Sequence, residues 1–391
     1  MLGKSFCRIG LVSKNKNFFE IAVLAIGVDH GVVCRLWFLF TGFFSTIACM
    51  IYISKMHIQY QCEFESATLV LHKYKSTILE NNPLGDSVLR YSPVLIPKDN
   101  PGNLPLVALL VGFTGSGLKV ISQSLWKKNL PERIAELLAQ KKIPPAIFVW
   151  PACETSLGGS QYVNSSATGN YEDFLVKELL PCIEDEYRCG GQNGRVVVGK
   201  SSGGFGALHL AMNNPGYFHA LGSHSGDLNF QMTYFAEFSD ALTAWQKAGG
   251  PKAFLDSFPP KRLGRQAHAA INILAMSACY SPNAKTELGF DLPIEPKTGK
   301  FKSDVFDRWL DFDPLHKIKE SASIEALKSL KACFLDAGNE DEFGLQWGLR
   351  LFREELEQAS IDHHIEFYAG GHFDTDWRYE HSLPYLLAAL S

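Results

Sequence analysis

The segment Arg195-Val-Val-Val-Gly-Lys-Ser201-Ser-Gly-Gly-Phe-Gly-Ala-Leu-His209 constrains the fold more than any other part of this chain. A β-branched run leads through Gly-x-Ser-x-Gly-Gly into an apolar stretch, a pattern that predicts a strand, a sharp turn and a helix. Glycine is needed at 199 and 203 because a Cβ at either position would collide with the neighbouring chain. The spacing is typical of a nucleophile elbow, so Ser201 is the candidate nucleophile, placed at the positive end of the helix.

A serine hydroxyl becomes a good nucleophile only when a histidine accepts its proton and a carboxylate orients that histidine. Candidates occur in two loops downstream, each directly after a predicted strand. The strand at 332–337 is followed by Gly-Asn-Glu-Asp341, and the strand at 364–368 by Ala-Gly-Gly-His372. Because open α/β sheets collect functional residues beyond the carboxyl ends of their strands, we predict Asp341 and His372 as the partners of the serine. Glu340 is the alternative acid.

An oxyanion needs two N–H donors, and a second glycine-rich loop offers one of them. The continuous apolar run at 106–112 fits a buried parallel strand and leads into Gly112-Phe-Thr-Gly-Ser-Gly117. This loop lacks the Gly-Lys-Ser/Thr ending of a phosphate-binding loop and the G-x-G-x-x-G spacing of a dinucleotide site. We therefore predict the backbone N–H groups of Phe113 and Ser202 as the oxyanion donors.

These motifs resemble the putative esterase family of α/β-hydrolases, which includes S-formylglutathione hydrolase (esterase D) and enterochelin esterase. The resemblance extends from about residue 76 to the C-terminus and rests on the segments at 199–208, 218–226, 338–341 and 370–372, with a further likeness at 155–174. It implies a mostly parallel central sheet flanked by helices, and a serine esterase in which Phe113 supplies an oxyanion N–H. The loop at 112–115 reads Gly-Phe-Thr-Gly where S-formylglutathione hydrolases carry Gly-Leu-Thr-Cys, which argues against glutathione thioesters as substrates.

Residues 227–327 separate a strand ending near residue 225 from one beginning near residue 332, which is far more chain than a plain connection needs. We interpret this segment as a helical cap over the active site. The alternative is a structural excursion that only covers the sheet. Its aromatic residues, as in Phe230-Gln-Met-Thr-Tyr-Phe-Ala-Glu-Phe238, favour an acyl or aryl pocket over a site for a highly charged substrate.

The composition is that of a globular enzyme. Hydrophobic residues make up 46% and charged residues 20% of the 391, with a net charge of -4, which excludes the disordered and nucleic-acid-binding classes. The nine cysteines include no C-x-x-C pair, so neither a zinc site nor a redox centre is expected, and free thiols are favoured over disulfides. No metal or organic cofactor is expected. The expected partner is a small-molecule ester or thioester, and the oligomeric state is left open.

The N-terminal region allows two interpretations. Residues 36–54 form an uncharged run of 19 residues, about long enough to cross a bilayer as a helix. Upstream basic residues would then keep the N-terminus in the cytoplasm and place a hydrolase domain at 56–391 on the far side. Alternatively, residues 1–55 are an over-extended reading frame, and a cytoplasmic enzyme without a membrane anchor starts at Met56.

The predicted activity is that of a serine hydrolase that cleaves carboxylic esters or thioesters through an acyl-enzyme intermediate. An acyltransferase is one alternative, because the same triad could pass the acyl group to an alcohol in place of water. A non-catalytic binding protein on the same fold is an alternative from a different class, and it would require a broken triad.

Overall fold

The computed structural model describes residues 6–12, 18–28, 31–37, 51–54, 57–58 and 61–390. The chain divides into two compact units, Met1–Gln61 and Cys62–Ser391. The first contains an antiparallel sheet whose strands, in sheet order, are β1 (Phe6–Val12), β2 (Phe18–Val28), β3 (Gly31–Trp37), β4 (Ile51–Ser54) and β5 (His57–Ile58). Of the apolar run predicted to span a membrane, residues 38–50 lie outside the described residues and the ends fall in β3 and β4. Within the described ranges, no helix has the length and apolar character required to cross a membrane.

The second unit is built on a nine-stranded sheet. Its strands are β6 (Gln61–Glu63), β7 (Ala67–Lys75), β8 (Leu89–Pro97), β9 (Leu106–Leu110), β10 (Ile147–Val149), β15 (Arg195–Lys200), β16 (Ala220–His224), β17 (Ala332–Gly338) and β18 (His364–Tyr368). Two short ribbons pair β11 (Glu154–Thr155) with β12 (Gly158–Gly159) and β13 (Asn164–Ser165) with β14 (Gly169–Asn170).

The helices follow the strands along the chain. They are α1 (Gly117–Val120), α2 (Leu130–Ala139), α3 (Tyr171–Asp173), α4 (Leu180–Tyr187), α5 (Ser202–Asn213), α6 (Phe230–Ala248), α7 (Pro251–Asp256), α8 (Arg265–Tyr280), α9 (Ser303–Leu310), α10 (Pro314–Lys317), α11 (Ser321–Lys328), α12 (Leu345–Gln358) and α13 (Tyr379–Ala388). A π-helical turn, Phe174–Leu179, joins α3 to α4.

The order of the large sheet is β18-β17-β16-β15-β9-β10-β8-β7-β6. The strands from β18 to β10 are parallel, β8 runs antiparallel to β10, and β7 runs antiparallel to β8. Every residue of β9 and β17 is buried, as expected of parallel strands covered on both faces. The predicted strands at 106–112, 332–337 and 364–368 are observed as β9, β17 and β18. The predicted α/β-hydrolase fold is confirmed.

Helices cover the two faces of the sheet with separate apolar layers. On one face, α5 and α12 contribute residues such as Leu208 and Phe352 to a buried cluster. On the other face, α2 and α13 contribute residues such as Ile134 and Leu383. Because both faces are closed, the carboxyl ends of the parallel strands remain as the place where loops can form a site.

The chain between β16 and β17 forms the predicted helical insertion and contains α6 to α11. Its aromatic residues pack mainly against one another, as when the rings of Phe230 and Tyr280 lie 5.0 Å apart and those of Tyr234 and Trp309 lie 5.4 Å apart. The last two helices, α10 and α11, contact α5 and belong to the layer beside the sheet. The rest of the insertion has a core of its own, and we call its helices α6 to α9 the cap.

Candidate active site

Ser201 lies in a strained turn between β15 and α5. Its backbone has φ 59° and ψ −126°, and its N–H donates to the carbonyl of His224 at 2.9 Å. A Cβ on Gly199 would lie 2.1 Å from the carbonyl oxygen of Gly203, and one on Gly203 would lie 2.2 Å from the carbonyl oxygen of Leu110. The strand, turn and helix predicted from the sequence are therefore present, and the glycines are required by close backbone contacts.

The loop after β9 comes close to this turn. A Cβ on Gly112 would lie only 3.2 Å from the Cβ of Ser201. Phe113 follows directly, is 8% exposed and packs its ring against the backbone of Gly158, where a Cβ would lie 2.5 Å from the ring. Ser202 is the first residue of α5, and its hydroxyl accepts a hydrogen bond from the Gln161 amide at 2.9 Å. Both predicted oxyanion donors are thus held by packing next to the elbow.

The loops after β17 and β18 bring Asp341 and His372 together. His372 Nδ1 lies 2.8 Å from Asp341 Oδ2, and each residue is only 5% exposed. The other carboxylate oxygen of Asp341 accepts from the N–H of Phe343 at 3.0 Å. Because Asp341 occupies Nδ1, the neutral histidine presents Nε2 as a proton acceptor. Glu340, the alternative acid, is exposed, whereas Asp341 contacts the imidazole.

Glu342 fixes the histidine loop from the opposite side. Its carboxylate accepts a hydrogen bond from the backbone N–H of His372 at 2.6 Å. Gly371 leaves room for this contact, since a Cβ there would lie 2.6 Å from the Glu342 carboxylate. The Phe343 ring packs edge-on against the imidazole at 4.8 Å. Sequence reasoning missed Glu342, although its position next to the candidate acid was a usable signal.

Ser201, Ser202, Phe113 and His372 line one cavity of about 460 Å³. Asp341 lies behind His372, so four of the five predicted site residues reach the cavity and the fifth contacts one of them. The cavity lies beyond the carboxyl ends of β9, β15, β17 and β18, where the fold collects its loops.

The cap supplies a second, polar side of the cavity that the sequence did not reveal. This cap wall consists of Asp227, in the loop after β16, and of side chains from α6 and α8: Thr233, Tyr234, Glu237, His268 and Asn272. The spacing of Thr233 to Glu237 and of His268 to Asn272 is i to i+4, which puts each pair on one helix face. That spacing was a readable signal. Sequence reasoning instead expected aromatic residues at the mouth, and most of these form the cap core.

Burial changes the ionisation of the two acids in the cap wall. It raises the pKa of Asp227 to about 7, with a further increase from the negative charges of Glu237 and Asp341. Burial likewise raises the pKa of Glu237 to about 7, against the opposing effect of a hydrogen bond from Asn272. The pKa of His268 is lowered by burial and by the nearby charge of His372. The charge of His372 therefore acts directly on a residue of the cap wall.

Away from the cavity, one group of three potential metal ligands occurs among the described residues: His72, Cys182 and Glu186. Cys182 approaches Nε2 of His72 at 3.8 Å, whereas Glu186 approaches Nδ1 at 3.2 Å. A single ion binds one imidazole nitrogen, so this geometry does not direct three donors at one point. Both Cys182 and Cys189 are free thiols.

The fold and the strained serine turn define an α/β-hydrolase. The family model described as "Putative esterase" matches residues 93–384, which is more than half of the chain. The chain therefore belongs to this family, and the enzyme class that the family defines is that of ester-cleaving serine hydrolases. The resemblance inferred from the motifs is confirmed.

Individual relatives are similar over a shorter range or at lower identity. Esterases MT1326 and Rv1288 of Mycobacterium tuberculosis are each 41% identical over 66 residues, which is 17% of this chain and 14% of theirs. Among solved structures, a ferulic acid esterase superposes with a TM-score of 0.55 at 18% identity, covering 83% of this chain and 99% of its own. An S-formylglutathione hydrolase from Agrobacterium tumefaciens gives a TM-score of 0.53 at 15% identity, covering 85% and 99%. At such identities the superpositions show a shared fold.

Proposed function

We propose that the protein is a serine esterase that hydrolyses carboxylic esters or thioesters through the triad Ser201, His372 and Asp341. The observation that carries the proposal is the shared cavity: a serine at positive φ and a histidine already paired with a buried carboxylate line the same space. A serine held in this way at a helix N-terminus is typical of nucleophiles in α/β-hydrolases.

The proposed reaction has two halves. In the first, Ser201 Oγ attacks the carbonyl carbon while His372 Nε2 takes the hydroxyl proton, and the N–H groups of Phe113 and Ser202 hold the oxyanion. Collapse of this intermediate breaks the bond to the alcohol or thiol, which leaves with the proton from His372. In the second, His372 takes a proton from water, the hydroxide adds to the acyl-enzyme, and the acid is released as Ser201 is reprotonated. Asp341 orients His372 and stabilises its charged form in both halves.

Two measurements test this proposal. The first is hydrolysis of p-nitrophenyl esters from acetyl to dodecanoyl by the wild type and by Ser201→Ala, with an expected loss in the variant of about 10⁶-fold in kcat. The second is reaction with an alkyl fluorophosphonate, which should lose fluoride and leave one phosphonate on Ser201, detected by peptide mass. Ser382 serves as an internal control because it is fully buried in α13. Near-normal turnover by Ser201→Ala, or labelling that survives this change, would refute the triad.

A further inference from the structure

The cap wall holds two carboxyl groups, Asp227 and Glu237, and among the described residues neither forms an ion pair with a lysine or an arginine. Asp227 is 6% exposed, and its carboxylate accepts a long hydrogen bond, 3.4 Å, from the hydroxyl of Tyr234. The Glu237 carboxylate accepts a hydrogen bond from the Asn272 amide at 2.6 Å, and its other oxygen lies 3.8 Å from Nδ1 of His268. Buried carboxylates are normally paired with a cation. Two of them that face a cavity therefore favour the binding of a positively charged group in that cavity.

The arginine and the lysines around the cavity are engaged elsewhere. Arg265 is the cation whose charge acts on Glu237, but its guanidinium is 87% exposed and donates to Asp240 at 2.7 Å. Each lysine that lines the cavity interacts with groups other than Asp227 and Glu237. Lys127 forms an ion pair with Asp374, Lys128 forms one with Glu136, and Lys119 donates to the carbonyl of Thr114. The charge of Lys200 interacts with four other carboxylates: Asp341, Glu342, Asp374 and Asp376. The charges that act on Asp227 are those of Glu237 and Asp341, both negative.

The cap wall lies beside His372, and its His268 ring also packs against that of Phe113 at 5.9 Å. His268 lies near enough to His372 for the charge of His372 to lower the pKa of His268. Both imidazole rings pack against the ring of Phe343, His268 at 5.9 Å and His372 at 4.8 Å between ring centres. In the proposed reaction, His372 delivers a proton to the departing alcohol oxygen. In that mechanism, groups beside His372 would contact the alcohol portion of the substrate.

We propose that the cavity accepts esters whose alcohol portion carries a positively charged ammonium group, and that Asp227 and Glu237 bind this group. The inference rests on the proposed esterase function and names its substrate class. The aromatic rings of Tyr234 and Phe343, which also line the cavity, can contribute cation–π contacts to the same group. Binding a cation favours the ionised carboxylates, so it should release the protons that burial keeps on them near neutral pH.

The test compares two esters of the same shape, acetylcholine and 3,3-dimethylbutyl acetate, in which a carbon replaces the charged nitrogen. For the wild type we expect kcat/KM to be at least about tenfold higher for acetylcholine. Asp227→Asn and Glu237→Gln should each reduce that ratio by about tenfold. Asp307→Asn is the matched control: Asp307 is exposed on α9 of the cap and is not part of the cavity, so both the ratio and the activity should be unchanged.

A binding measurement gives an independent readout. Choline should inhibit p-nitrophenyl acetate hydrolysis competitively, and its inhibition constant should fall as pH rises from 6 to 8, because Asp227 and Glu237 ionise with pKa values of about 7. The inhibition constant of 3,3-dimethylbutanol should not follow this trend. Both variants are isosteric and remove a buried charge, so unfolding is not expected to mask the result.

The outcomes separate this inference from the proposed function. A ratio near one in the wild type, or a ratio unchanged in both variants, overturns the ammonium site. If Ser201-dependent hydrolysis of p-nitrophenyl acetate persists in that case, the esterase proposal stands. Absence of Ser201-dependent hydrolysis of all three esters overturns both.

Discussion

Among the described residues, a second serine–histidine–aspartate arrangement accompanies the proposed triad, and of these two it is the proposed triad that borders the cavity of the candidate site. In the second arrangement, His224 Nδ1 lies 2.9 Å from Asp336 Oδ1 and His224 Nε2 lies 2.9 Å from the hydroxyl of Ser382. Its three residues are at most 1% exposed. The pairing of histidine with aspartate is therefore nearly the same in both places, at 2.8 Å in the first and 2.9 Å in the second.

The surroundings of the two arrangements differ. Ser382 lies inside α13, and the other oxygen of Asp336 accepts from Arg378 at 2.6 Å. Ser201 instead lies in a turn at positive φ beside an open space. The buried arrangement links β16 and β17 to the C-terminal helix, and the carbonyl of His224 also accepts from the N–H of Ser201. Histidine–aspartate geometry alone therefore does not identify an active site; access and a nearby oxyanion site do.

The largest expected difference concerns the two histidines. His372→Ala should lower kcat for a p-nitrophenyl ester by about 10⁶-fold, because the change removes the group proposed to accept the serine proton. His224→Gln keeps a polar side chain in the core and should leave kcat of the folded fraction within about threefold of the wild type. Steady-state kinetics on protein whose folded fraction is known from circular dichroism would check both. Equal losses of kcat in the two variants would contradict the assignment of catalysis to His372 and of a structural role to His224.

The two aspartates should separate activity from stability. Asp341→Asn should lower kcat by about 10⁴-fold, because the amide favours the wrong tautomer of His372. Asp336→Asn should leave kcat near the wild type but destabilise the second unit by about 1.5 to 3 kcal/mol, because the buried Arg378 loses one of its two charged partners and keeps Glu366. Urea unfolding together with initial rates would measure both effects. A catalytic loss without a stability loss in Asp336→Asn would count against its structural role.

Glu342 should show an intermediate effect. Glu342→Ala removes the acceptor of the His372 N–H and loosens the loop that holds the imidazole. We expect kcat to fall by about 10- to 100-fold, since a displacement of about 1 Å costs rates of this size. Glu342→Gln keeps an oxygen acceptor in place and should restore most of the loss, with KM and the pH profile close to the wild type. If the glutamine variant were as impaired as the alanine variant, the charge and not the loop position would be the cause.

Local sequence signals were sufficient to predict where Ser201, Asp341 and His372 lie, and their catalytic roles stay predictions. The glycines around Ser201, and the positions of Asp341 and His372 after predicted strands, specify the turn and the loop ends, because backbone constraints act over a few residues. The buried arrangement could not be found in this way. His224, Asp336 and Ser382 come from three distant elements, and each alone has the pattern of an ordinary core position. The cap wall was missed because which face of α6 and α8 meets the cavity depends on tertiary packing.

The smallest expected effect is that of Ser382→Ala. The change removes one hydrogen bond to His224 Nε2 and leaves that nitrogen without its partner in the core, which should cost about 1 to 3 kcal/mol of stability. Because Ser382 does not border the cavity, kcat and kcat/KM should equal those of the wild type, and the fluorophosphonate should still label Ser201. A shift in the urea midpoint with unchanged kinetics is therefore the signature of a structural serine. A loss of turnover larger than the loss of folded protein would mean that the network behind β16 sets the position of the Ser201 turn, and the two arrangements would then act as one unit.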